Sequence, residues 1–175
     1  NDTDADPQNG PFADSLSIVA SGLTQPAQGT VSSTAGDVVL YQPPTGFFGE
    51  VAFDYTIQDN YGGSAQASVS VSVNSPPAAV DDDVLVQMEQ PFTVSVLAND
   101  NDLDVTDSLT VSSVTQPLNG TVAISGTTDV IYTSNTGYFG PDAFTYTVTD
   151  SRGGFSTANV TVNVNAPPVV ADDQF

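Results

Sequence analysis

The chain has 175 residues, of which 39% are apolar, and 21 acids stand against a single Arg for a formal net charge of −20. It contains no Cys, His or Trp, which excludes disulfides, thiolate and imidazole metal sites, cysteine nucleophiles and histidine triads. The absence of Lys excludes a P-loop, a Schiff base and a Lys–Asn isopeptide crosslink, and Arg152 alone cannot neutralise a run of phosphates, so nucleic acid is not an expected partner.

High acidity is a mark of disorder only when apolar content is low. Here 9 Phe and 6 Tyr recur in alternating patterns that can form a core. No apolar run approaches the roughly 18 residues of a membrane span, and no signal peptide is expected in this sequence.

In chain order, the sequence opens on Asn1-Asp2-Thr3-Asp4-Ala5-Asp6. Phe53, Tyr55 and Ile57 then alternate with polar residues, as do Val69, Val71 and Val73, and Asp59 with Gly62-Gly63 separates the two runs. This is the period-two signature of two strands joined as a hairpin. Pro76-Pro77 and Asp81-Asp82 follow, and further strands are predicted around Leu85, around Val94 and Val96, and, after Asn99–Asp104, around Leu109 and Val111. Val122 and Ile124, then Val130 and Tyr132, supply two more, with Gly, Pro and Asn marking the turns. Phe144, Tyr146 and Val148, Asp150 with Gly153-Gly154, and Val160, Val162 and Val164 form a second hairpin pattern, and Pro167-Pro168 and Asp172-Asp173 end the chain. No segment has a convincing helical period.

The two hairpins belong to an internal repeat. A shift of 91 residues aligns Thr24–Asp82 with Thr115–Asp173, and 28 of the 59 pairs are identical. Asn1–Asp6 matches Asn99–Asp104 once extra residues around Pro7–Ala13 are allowed. One unit is thus about 90 residues and about seven short strands, the size and rhythm of an immunoglobulin-like sandwich. The expected organisation is a first repeat over residues 1–75 that lacks its first two strands, a complete repeat over 76–165, and the start of a third over 166–175. On this reading the chain is an excerpt of a longer tandem array. The sheet edge left by the missing strands is covered either by preceding residues or by a segment of another chain.

Alternating strand directions bring three remote segments to one pole of the complete repeat: Asp81 and Asp82, then Asp100, Asp102 and Asp104, then Asp150. That pole adjoins the tail of the preceding unit. Two like charges 4 Å apart repel by about 4 kcal/mol at an effective dielectric of 20. With almost no basic residue at hand, a hard divalent cation is the remaining remedy, and an all-oxygen site suits calcium better than magnesium. The Asp-x-Asp-x-Asp run is not an EF-hand: counted from Asp100, the required Gly and Glu positions hold Val105 and Val111. Asp59 and Asp150 are equally natural turn formers before Gly-Gly.

The combination Asn-Asp-x-Asp-x-Asp, Gly-Thr-Val, Thr-Gly-x-Phe-Gly, Phe-x-Tyr-Thr, Asp-x-x-Gly-Gly and Val-x-Val-x-Val-Asn-x-Pro-Pro, followed by Asp-Asp, covers nearly the whole chain. It resembles the cadherin-like, Ig-like tandem repeats of large secreted bacterial adhesins, including RTX-type ones. The resemblance implies an all-β fold of tandem immunoglobulin/cadherin-like Greek-key β-sandwiches, with calcium between successive units stiffening the array into a rod. It implies an Asp-x-Asp role for Asp100 and Asp102 and a linker role for Asp81 and Asp82. Glu50 is the implied carboxylate of the preceding unit, and Asp142 is its near counterpart, displaced by one position. The linker Asn74-Ser75-Pro76-Pro77 departs from the vertebrate cadherin pattern. Asp2, Asp4, Asp6 and Asp59 repeat the motif in the first copy, and Asp172 with Asp173 is half a site facing the next repeat.

The expected function is that of calcium-stiffened extender repeats in an extracellular or surface adhesin, with neighbouring repeats of the same chain as partners. The alternative is a module that binds polysaccharide or associates with itself, for which Tyr61 and Tyr138 are the loop aromatics to consider. Catalysis is not expected, since the acids gather at junctions rather than across an apolar cleft.

Overall fold

A computed structural model describes residues 15–34 and 37–168 and divides the chain into two units, Asn1–Asn74 and Ser75–Phe175. Asp2, Asp4, Asp6, Asp172 and Asp173 lie outside the described residues. Unit 1 contains β1 (Ser17–Ile18), β2 (Thr30–Thr34), β3 (Val38–Gln42), β4 (Gly49–Gln58) and β5 (Ser64–Val73), with a 3-10 turn at Ala20–Gly22. Unit 2 contains β6 (Asp82–Gln87), β7 (Phe92–Val94), β8 (Thr110–Val114), β9 (Gly120–Ser125), β10 (Asp129–Ser134), β11 (Gly140–Thr149) and β12 (Phe155–Asn165). The expected all-β, Ig-like architecture is the one formed. No helix among the described residues is long and apolar enough to cross a membrane.

Unit 2 is a two-sheet sandwich. One sheet has the order β6-β12-β11-β8 and the other β7-β10-β9. The strands of the β11–β12 hairpin are 10 and 11 residues long, and their alternation sets the inner face. Phe144, Tyr146 and Val148 from β11 and Ala158, Val160, Val162 and Val164 from β12 are buried against Val94, Val122, Val130 and Tyr132 of the facing sheet. Tyr132 stacks on Phe144 with ring centroids 6.3 Å apart. Each Val or Phe fully buried here stabilises the fold by about 1.5–3 kcal/mol. After β6 the chain changes sheet through a turn in which Glu89 adopts φ +61. The Glu89 N–H donates to Ser134 Oγ, and its carboxylate accepts from Gly137 N–H, which fixes this turn at the pole remote from the Asp100–Asp107 loop.

The β6 strand pairs parallel to β12, with Asp82 opposite Val160. Because β12 begins five residues before that pair, the Asp150–Gly154 turn lies beyond Asp82, level with the chain that leads into β6. Ala78 pairs with Asn101 there, and Ala79 N–H donates to Ser156 Oγ. This topology brings the three aspartate-bearing segments to one end of the unit.

Unit 1 repeats the last five strands of this plan. Its described residues form a sheet β1-β4-β5 and a pair β2-β3, with no strand on the outer side of β5 or β3. The physical consequence is visible in the core. Val69, Val71 and Val73 alternate as their counterparts in β12 do, but they are only half-buried. Tyr55 and Ile57 are half-buried as well, and Val31, Val51 and Phe53 are the buried apolar residues among those described.

Candidate functional site

The Asp150 turn is built by its own sequence. Asp150 N–H donates to the Gly154 carbonyl, and its Oδ1 accepts from the backbone N–H groups of Arg152 and Gly154, both at 2.8 Å. Gly153 sits at φ +96, which a residue with a side chain rarely adopts. The first copy builds the same turn: Asp59 Oδ1 accepts from Tyr61 and Gly63, and Gly62 has φ +94. The turn-forming reading of both aspartates therefore holds, and at Asp150 it does not exhaust the side chain.

The Asn99–Asp107 loop is shaped by a chain of short-range bonds. Asp104 N–H donates to Asp102 Oδ1 at 2.9 Å, and Asp107 N–H donates to the Asp104 carbonyl at 2.8 Å. These two turns bring Asp107 back beside Asp102. One carboxylate oxygen from each of Asp102, Asp107 and Asp150 lies within 4.8 Å of the others. The Oδ2 atoms of Asp102 and Asp107 are buried and have no hydrogen-bond partner. The Asp107 side chain is 2% exposed, and its Oδ1 receives Arg152 Nε at 3.2 Å.

Buried carboxylate oxygens without donors are costly. Pairs of charges at this spacing repel by about 3–4 kcal/mol at an effective dielectric of 20, and one guanidinium against three carboxylates leaves a local charge of −2. Calcium binds oxygen at roughly 2.3–2.6 Å, so ligands on opposite sides of one ion stand about 5 Å apart. Three acid oxygens within 4.8 Å fit that sphere, and the donor set is all oxygen. The residues present therefore fit a hard divalent cation held by Asp102, Asp107 and Asp150.

Of the other acids singled out by sequence, Asp81, Asp100 and Asp104 are engaged elsewhere. Asp104 Oδ2 accepts from Ser75 N–H at 2.7 Å, which ties the first residue of unit 2 to the loop. Asp100 Oδ1 accepts from Val80 N–H at 2.8 Å, and both its oxygens lie 2.9–3.0 Å from the Tyr146 hydroxyl. Burial, followed by the hydrogen bond and charge of Asp100, pushes the Tyr146 phenol far above its ordinary range. Asp81 Oδ1 accepts from Asn159 N–H at 2.8 Å and from the Asn159 amide at 3.2 Å. Asp82 Oδ2 is buried without a partner. Burial and then the neighbouring Asp100 charge push its carboxyl up to about 6.

Glu50 is exposed on β4 opposite Ser72. Asp142 is buried, where its Oδ2 accepts from the Tyr132 hydroxyl at 2.8 Å and from Asn119 N–H at 3.1 Å. Its carboxylate thus satisfies two donors inside unit 2. Tyr138 packs against the core and donates to the Pro141 carbonyl, whereas Tyr61 is 62% exposed.

Asp107 is the residue that sequence reasoning missed, although a signal for it exists. Asp107-Ser108-Leu109 recurs as Asp14-Ser15-Leu16, but at an offset of 93 rather than 91. The first copy carries two extra residues between this triplet and Thr24, in the stretch that holds the 3-10 turn Ala20–Gly22.

Among solved structures, the chain is similar to an endo-fucoidan hydrolase of glycoside hydrolase family 107, at 16% identity and TM-score 0.39 over 90% of this chain and 27% of that one. It is also similar to the human desmocollin-1 ectodomain, at 12% identity and TM-score 0.38 over 94% and 36%. A third is the Bacteroides ovatus glucan-utilisation protein SGBP-B, solved with a mixed-linkage heptasaccharide, at 16% identity and TM-score 0.28 over 89% and 43%. The chain thus spans between a quarter and under a half of these proteins, and likenesses this loose carry no functional argument. No curated protein matches. The profile of a bacterial Ig domain matches residues 1–72 and again residues 74–163. Domains of this kind are typically non-catalytic and typically occur in extracellular proteins. With nearly the whole chain covered by two successive matches, it belongs to the bacterial Ig domain family.

Proposed function

We propose that the chain is a run of calcium-stiffened extender repeats from a secreted or surface-anchored bacterial adhesin. The observation that carries this reading is the pair of buried, unpartnered Oδ2 atoms of Asp102 and Asp107 beside Asp150. Calcium there joins the 102–107 loop to the 150–154 turn. Through Asp104 and Ser75 it also steadies the segment by which the chain enters unit 2. Rigidity of that segment is what an extender requires if a distal binding domain is to stand away from the cell.

Extracellular calcium modules commonly have Kd around 10⁻⁴–10⁻³ M. About 10 mM calcium then stabilises the folded unit by about 1.4–2.7 kcal/mol, which raises its melting temperature by more than about 5 °C. Calorimetric titration of the fragment should give calcium-linked heat that D102N removes. EDTA should reverse the thermal shift and, in small-angle scattering, reduce the maximum dimension. Melting and scattering curves identical in calcium and EDTA would sink the proposal.

A further inference from the structure

The chain's only basic residue lies on the proposed cation site. Arg152 reaches both loops that form it: its backbone N–H donates to Asp150 Oδ1 at 2.8 Å, and its guanidinium meets Asp107 Oδ1 at 3.2 Å. The turn does not need an arginine. In the first copy the matching residue is Tyr61, whose N–H makes the same 2.8 Å bond to Asp59. What Arg152 adds is therefore the charge and its reach to Asp107, whose side chain is 2% exposed and whose Oδ2 has no partner. An exposed ion pair would contribute little. This one has its acid partner out of water, where screening is weak.

We infer that Arg152 is a tethered counter-ion of the site, holding the two loops together when calcium is absent and opposing its charge when calcium binds. The second repeat is thereby a weaker calcium site than its carboxylates alone would make, and its fold depends less on the ion. This inference rests on the calcium reading above and deepens it.

The test is calorimetric titration with calcium and thermal melting in EDTA, on the whole fragment and on R152Q and R152K, with D102N marking the heat that belongs to this site. R152Q should tighten Kd at the site by about tenfold, the effect of one unit charge about 6 Å from a divalent ion under water-like screening, since the Arg152 side chain is 40% exposed, and should lower the melting temperature in EDTA. R152K, which keeps the charge, should stay within about threefold of the unsubstituted chain. If R152Q were poorly folded, R152Y places the residue of the first copy in the same turn and should show the same tightening. Unchanged or weaker binding by R152Q and R152Y overturns the counter-ion role and leaves the calcium reading intact. Calcium heat absent from the unsubstituted chain and from R152Q alike overturns the calcium reading and this inference with it.

Discussion

Tyr132 and Tyr41 occupy the same position of the two copies and meet different partners. In unit 2 the Tyr132 hydroxyl donates to buried Asp142. In unit 1 the position of Asp142 is Val51, and the Tyr41 hydroxyl turns to the Gln28 carbonyl at 3.2 Å, in an exposed bond. Tyr132→Phe should therefore cost about 1–3 kcal/mol, because Asp142 loses a donor while remaining out of water. Tyr41→Phe should stay within about 0.5 kcal/mol. The shift of each transition in urea unfolding would distinguish them, and equal losses would contradict this account. Asp107 supports a second prediction at this scale. If calcium binds as proposed, Asp107→Asn should abolish the rise in melting temperature that it gives unit 2, and Asp129→Asn, at a half-buried acid outside the cluster, should leave it intact.

Among the elements, the Gly-Thr-Val strand and the Asp-x-x-Gly-Gly turn show how much of the fold is readable locally. A Cβ on Gly120 would meet Tyr132 Cε2 and the Thr133 carbonyl at 2.7 Å, and one on Gly29 would meet Tyr41 Cε2 at the same distance. The glycine lets the strand lie flat on a tyrosine ring in both copies. Gly120→Ala should destabilise unit 2 by about 1–3 kcal/mol through overpacking, measured by urea unfolding; a neutral effect would mean that the strand shifts freely. Alternation fixed which residues of β11 and β12 face inward. It did not fix how deeply they are buried, because that depends on strands supplied from elsewhere in the unit. Val160 and Val69 follow the same pattern, yet only Val160 is fully buried, since β12 is covered by β6 and the described residues place no strand beside β5. The strand predicted through Val96 ends at Val94, and Val96 is buried in the turn that follows.

At the scale of the whole molecule the charge is managed by placement. Asp82 is the acid whose protonation the fold favours: its carboxyl titrates near 6 in the folded chain against 3.8 for an ordinary aspartate, because burial and then Asp100 disfavour its charge. A raised folded value means that the protonated form is the stabilised one. Its contribution is full below about pH 3.8 and is lost as pH rises through about 6. In EDTA, the stability difference between the unsubstituted chain and D82N should therefore shift in favour of D82N as pH is raised from about 4 to 7. A difference independent of pH would show that Asp82 titrates normally. Calcium bound as proposed at Asp102, Asp107 and Asp150 would act on other carboxylates, so any stabilisation it gives should persist in D82N.

The sequence by itself determined the repeat, the all-β fold, the hairpin turns and the gathering of acids at one pole, because each follows from period, spacing and turn chemistry along the chain. The tertiary structure decided which acids meet. Asp81, Asp100 and Asp104 carry hydrogen bonds that hold Asn159, Val80 with Tyr146, and Ser75, whereas Asp107 joins Asp102 and Asp150. A carboxylate's neighbours depend on how loops fold back over distances of a few ångströms. Two turns between Asp102 and Asp107, together with the parallel register of β6 and β12, set those distances. No count of aspartates could have supplied them.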